Sequence, residues 1–257
     1  MKKYICALLL SVLLFLLAGC CRAASGQAET VYRALLIAQT YGENDSIHTL
    51  CGSENDVAAF CDYLTQLDQQ GYHVTICTDL QASQILSAIS DAFLEADDDD
   101  VSLLYYSGHG VSDEKTAPLG SLLGADEIAI TSKELQTAMQ RIGGKKIMIT
   151  DACNSGGLLA DTVEWSNTNC SILTSCAYYE TAKEDGIYGK TMGLFTADIL
   201  EGIGYCSDGA APPADYDCDK KVTLLELYLY TRRKMAEFGL HPQLFIMDDI
   251  PIFSLNE

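Results

Sequence analysis

Short apolar runs alternate along this chain with segments whose apolar residues return at helical spacing, and this alternation restricts the fold more than any other feature. VYRALLIAQTYG, closed by Gly42, reads as a buried strand. NDVAAFCDYLTQL then sets Val57, Phe60, Tyr63, Leu64 and Leu67 on one helical face, with Asn55 or Asp56 near its start as a cap. HVTICTDL is a second strand, and SQILSAISDAFLEA a helix that ends in the charge run Asp97 to Asp100, a solvated turn. VSLLYYSGHG is a third strand, SKELQTAMQRI a helix stopped at Gly143-Gly144, KKIMITDACNSGG a fourth strand and SILTSCA a fifth. GLFTADILEGI and TLLELYLYTRRKMAEF are amphipathic helices, and QLFIMDDIPIFSL a last strand-like stretch. The pattern predicts an α/β fold with a mostly parallel central sheet of about six strands and helices on both faces. Only the stretch around Pro212-Pro213 interrupts it, so residues 31–257 are expected to form one domain.

The N-terminus is a separate unit. Lys2 and Lys3 precede a leucine-rich run from Ala7 to Leu17, too short for a comfortable membrane span and typical of a signal peptide. Leu17-Ala18-Gly19-Cys20 resembles the bacterial lipobox, which predicts a leader over 1–19, lipidation at Cys20 and a small, polar tether over 20–30. An uncleaved anchor, or cleavage near Ala23-Ala24, is the alternative. A diacylated cysteine gives the two chains that stable anchoring needs, so the expected location is the outer face of the bacterial cell membrane, with membrane contact through the anchor only. Losing residues 1–19 takes the formal charge from −20 to −22 and the cysteines from 11 to 10. An exported protein with that many cysteines admits disulfides, although no CxxC pair occurs, and for Cys61, Cys77 and Cys176, set in apolar segments, buried free thiols are expected. The negative charge excludes nucleic acid as a partner and favours cationic ones.

Chemistry concentrates where two strands end. One runs into Ser107-Gly108-His109-Gly110, the other into Asp151-Ala152-Cys153-Asn154-Ser155-Gly156-Gly157. In open α/β sheets the ligand crevice lies beyond the carboxyl ends of the strands, so neighbouring strands would bring His109 and Cys153 to one substrate. A thiol is a nucleophile as thiolate, and an imidazole beside it takes or balances its proton. Glycines flanking both residues admit backbone close to the substrate, and the amides of Gly110 and Cys153 are expected as oxyanion donors. Singly, a histidine after a strand is more often a packing residue, and a cysteine there more often a small buried hydrophobe.

YYSGHG followed by DACNSGG resembles the caspase-like cysteine peptidases, and the metacaspase branch above all. LCGSENDVAAF, ILTSCAYYETAKED and GLFT extend the resemblance from about Val31 to the C-terminus. It implies a three-layer caspase-like sandwich and an endopeptidase with a Cys/His dyad, in which Cys153 is the nucleophile and His109 the general acid/base. It further implies that Asp56 and Asp151, with Ser107, line a specificity pocket for Arg or Lys in protein or peptide substrates, since a buried carboxylate calls for a cationic partner. Against this, Asp56 could simply cap its helix, Asp151 brace its loop and Ser107 serve as a turn hydroxyl. The Asp-Ala-Cys triplet stands where aspartate-specific caspases have Gln-Ala-Cys. Ser53 stands where metacaspases usually have cysteine, and Asn154 where histidine is commoner. Members are often cut between the fifth strand and the next helix, which makes Lys183 and Lys190 candidate self-processing positions. Other readings are a catalytically silent surface-binding protein of this fold, or a cysteine hydrolase acting on cell-wall peptides.

The chemistry needs no cofactor. Asp215, Asp217, Asp219 and Glu226 fall at positions one, three, five and twelve of an EF-hand-like loop, but position six, which wants glycine, is Lys220, and Pro212-Pro213 rules out a normal preceding helix. A solvated acidic loop is the default there, with calcium the alternative; some metacaspases use calcium at a different site. Zinc spacing is absent, and His48, His73 and His241 join no ligand motif.

Overall fold

A computed structural model of the protein describes residues 30–43, 46–67, 71–111, 113–205 and 210–254. The leader (1–19), Cys20 and all but the last residue of the tether lie outside the described residues. In chain order come β1 (Tyr32–Ala38), α1 (Ser53–Thr65), β2 (His73–Thr78), α2 (Ala82–Ala92) and β3 (Val101–Ser107). A small hairpin, β4 (Leu122–Leu123) with β5 (Ala129–Ile130), leads to α3 (Ser132–Met139), β6 (Lys145–Asp151), α4 (Thr162–Ser166) and β7 (Cys170–Thr174). A second hairpin, β8 (Glu184–Ile187) with β9 (Lys190–Gly193), precedes α5 (Leu194–Gly202). The chain closes with β10 (Lys221–Thr223), α6 (Leu224–Met235), β11 (Gln243–Phe245) and β12 (Pro251–Ser254).

Six of the strands form one sheet in the order β11-β7-β6-β3-β1-β2, parallel except for β11. Successive side chains of a strand point to opposite faces, so both faces of its middle strands must be apolar. Leu36, Leu103, Tyr105, Ile147 and Ile149 meet Val57, Phe60 and Leu64 of α1, together with residues of α5 and α6. Their neighbours Leu35, Ile37, Leu104, Tyr106 and Met148 face the other way, onto Ile85 and Ile89 of α2, Leu135 and Met139 of α3, and Trp165. Each such fully buried side chain contributes about 1.5–3 kcal/mol. The sheet ends in a three-residue β11 at one edge and at the other in β2, six residues whose side chains are largely exposed.

The last stretch differs from the single strand expected. β11 adds antiparallel to β7, the chain then leaves the sheet, and β12 pairs with β10 instead. Between the two strands Asp249 accepts the Leu225 amide at the start of α6 at 3.2 Å. Asp56 is not a cap, because α1 begins at Ser53 and places Asp56 inside the first turn. The seven described cysteines are free thiols, of which Cys170 and Cys176 are buried, while Cys61 and Cys77 are only partly covered.

Candidate active site

β3 and β6 are neighbours in register, with Ser107 opposite Asp151, and Gly108 donates to the Asp151 carbonyl at 3.1 Å. His109 and Cys153 each lie two residues further on. The chain runs from β1 to β2 on one side of the sheet and from β3 through β6 to β7 on the other. Strand order therefore reverses between β1 and β3, where a doubly wound sheet opens its crevice. A cavity of about 380 Å³ lies there, lined by His48, Leu50, Asp56, Ser107, Gly108, His109, Asp151, Cys153, Gly193 and the run Thr181, Ala182, Lys183, Glu184.

Backbone meets backbone where the two loops touch. A Cβ on Gly110 would stand 2.0 Å from the Cys153 carbonyl oxygen, so no larger residue fits. Gly110 faces Leu122 across an antiparallel bridge, but the ladder bonds are made by its neighbours: Leu123 donates to the His109 carbonyl and Val111 to Ser121. In such a non-hydrogen-bonded pair the residue's own N–H points away from the partner strand.

His109 is held from several sides. Its amide donates to the Tyr41 hydroxyl at 3.0 Å, and the Tyr41 ring lies 4.6 Å from the imidazole. Tyr41 itself sits at φ 59°, in the left-handed region, with its amide donating to Asp79. The imidazole Nε2 is 2.6 Å from the His48 carbonyl. A carbonyl only accepts, so Nε2 carries the proton and Nδ1 of the neutral ring is left as the base. Burial lowers the His109 pKa, against the opposing pull of the His48 carbonyl. Burial also pushes the Cys153 thiol up to about 11, opposed by the Ala182 amide. At neutral pH the pair rests as thiol and neutral imidazole.

The two aspartates meet at the start of α5. Asp56 accepts from the Gly193 amide at 2.9 Å and from the Ser107 hydroxyl at 2.8 Å. Asp151 accepts from the Thr196 amide at 3.2 Å and hydroxyl at 2.8 Å, so it braces α5 rather than its own loop. A helix N-terminus favours negative charge, which gives both groups a structural use beside any binding role. A Cβ on Gly193 would lie 2.2 Å from an Asp151 oxygen and 3.1 Å from an Asp56 oxygen. Burial raises both pKa values, that of Asp151 to about 6. Glu184 adds a third carboxylate to the cavity and accepts the Gly52 amide at 2.9 Å. Glu184, Tyr41 and the His48 carbonyl have no motif to mark them. The one sequence signal was Glu184's place in the acidic run ETAKED.

Far from this cavity, ligand atoms of Asp215, Asp217 and Asp219 lie within 4.8 Å of one another. Lys220, at the position that wants glycine, adopts φ 67°, so the loop makes the sharp turn despite its side chain. Glu226 bonds the amides of Tyr216 and Thr223 at 3.0 and 2.9 Å, capping α6. These hard oxygen donors suit calcium by type, but the three aspartates, like Glu226, accept backbone amides of the loop.

Residues 32–253 match the caspase-domain family model. The chain belongs to that family, and membership supports a cysteine-peptidase-like function. A crystal structure of a Geobacter sulfurreducens protein superposes with a TM-score of 0.60 at 17% identity, covering 88% of this chain and 100% of that one, a likeness of fold alone. A segment of 110 residues is 34% identical to anthranilate phosphoribosyltransferase of Natronomonas pharaonis, covering 40% of this chain and 32% of that protein. The chain thus spans about a third of that relative's length, and the segment defines no family.

Proposed function

We propose that the protein is a cysteine endopeptidase that cleaves after arginine or lysine. The observation that carries the reading is that His109 and Cys153 line one cavity with Asp56 and Asp151. His109 Nδ1 takes the thiol proton as Sγ attacks the scissile carbonyl carbon, and the oxygen's new charge is met by the amides of Gly110 and Cys153. The C–N bond then breaks and the imidazolium protonates the leaving amine. Water, deprotonated by His109, hydrolyses the thioester and regenerates the thiol. A guanidinium or ammonium between Asp56 and Asp151 would offset the burial that raises their pKa values.

Fluorogenic peptides ending in Arg, Lys, Asn or Asp test this, with and without calcium, against a Cys153→Ala control. Turnover of the Arg or Lys peptides, absent in the control, is the expected result. Turnover of Asp or Asn peptides instead would keep the peptidase and overturn the pocket roles, and no turnover after limited proteolysis would favour a silent binding protein. Lys190 follows the exposed Tyr188-Gly189 tip of the β8–β9 hairpin, which makes it the better placed of the two self-processing positions. A Cys153→Ala protein still cut at Lys183 or Lys190 when purified alone would sink that idea. Anchoring through Cys20 rests on the leader sequence, and loss of fatty-acid labelling in Cys20→Ser is its test.

A further inference from the structure

A second cavity, of about 500 Å³, lies behind the β8–β9 hairpin, between α5 and α6. Asp198 of α5 lines it and is 8% exposed, and its Oδ2 is sealed from solvent without a hydrogen-bond partner. A buried carboxylate without compensation is costly, so a cation that paired with it would relieve that cost. Lys234 and Glu201 line the same cavity, and the Lys234 ammonium lowers the Asp198 pKa but makes its ion pair, at 2.9 Å, with Glu201. The other charged groups acting on Asp198 are Glu201, Glu237 and, through the core, Asp151, all acidic. Burial first, then these acids against the pull of Lys234, raise its pKa to about 7.

The rest of the lining selects among cations. Tyr188 and Tyr205 stand edge to face with ring centroids 6.1 Å apart, and Ile187, Ala197 and Pro213 complete an apolar wall. Aromatic faces attract organic cations, and an apolar wall suits an aliphatic stem better than a hydrated metal ion. We propose that this cavity is a binding site for a primary ammonium or guanidinium group on an aliphatic stem, with Asp198 as its counter-ion. The two cavities share no lining residue, although β8 joins them, since Ile187 lines the one and Glu184 the other.

The test follows the Tyr188 and Tyr205 ring signals by NMR during titration with n-butylammonium. Saturable shifts are expected in the wild type and in Cys153→Ala, with at least tenfold weaker binding in Asp198→Asn, whose isosteric amide keeps the packing. Glu201→Gln is the second variant: it releases Lys234 to pair with Asp198 from within, and should weaken binding as well. Rings that do not respond in the wild type, or respond equally in Asp198→Asn, would overturn the proposal. Cys153→Ala keeps the outcome separate from the peptidase reading, because a protein without its nucleophile should still bind the ammonium here. Blocked lysine amide distinguishes the source of the cation: comparable binding assigns it to a protein side chain, exclusion assigns it to free amines, and either supports the site.

Discussion

Asp151 serves two demands that pull against each other. Its carboxylate holds the Thr196 amide and hydroxyl, yet burial, with Glu184 nearby, raises its pKa from 3.8 to about 6. Between those values the folded protein binds more protons than the unfolded chain, so this group's contribution to stability falls as pH rises through about 6. The shift at Asp56 has the same sign. Asp151→Asn should therefore stabilise the protein by about 1 kcal/mol at pH 7 while abolishing turnover of basic peptides, a trade of stability for function. Thermal melts at pH 4 and 7 check it, and a stabilisation that does not grow with pH would count against the argument. The dyad gives a second expectation. With a neutral thiol and a lowered imidazole pKa, kcat/KM should rise as pH passes a value below 6.5 and then stay level through pH 8. A bell falling between pH 7 and 8 would instead indicate a preformed ion pair.

At the scale of elements, function depends on two loops brought close by strand register. Gly110→Ala would push a methyl group into the Cys153 carbonyl 2.0 Å away and separate the two loops. The expected cost is about 1–3 kcal/mol of stability and roughly 100-fold or more in kcat/KM, measured by melts and initial rates. A folded variant with unchanged kcat/KM would show that loop spacing is not critical. The central strands and long helices were legible because runs such as VSLLYYS and spacings such as Val57, Phe60 and Leu64 carry clear periods. The hairpins were not. β4 and β5 are two residues each, too short for a period, and β8–β9 turns on Tyr188 and Gly189 at φ 51° and 74°, of which only the glycine is a familiar signal.

For the whole molecule, a formal charge of −20 means self-repulsion and a field that draws in cations. Raising salt from about 20 mM to about 0.5 M shortens the screening length several-fold. The melting temperature should rise, while KM for Arg and Lys peptides increases and that for a neutral peptide changes little. Equal salt effects on both substrates would remove long-range attraction from the account.

The sequence by itself determined the layered α/β architecture, through the alternation of strand and helix periods, and the two loops that carry His109 and Cys153. Periodicity and local motifs are properties of neighbouring residues, so they survive in one dimension. Only the tertiary structure decided that Glu184 joins the first cavity, that Asp56 and Asp151 both meet α5, that the C-terminal stretch divides between two sheets, and that Asp198 Oδ2 lies buried without a hydrogen-bond partner. Those outcomes turn on groups far apart in the sequence competing for the same few amides and the same limited volume, and no local pattern records who wins.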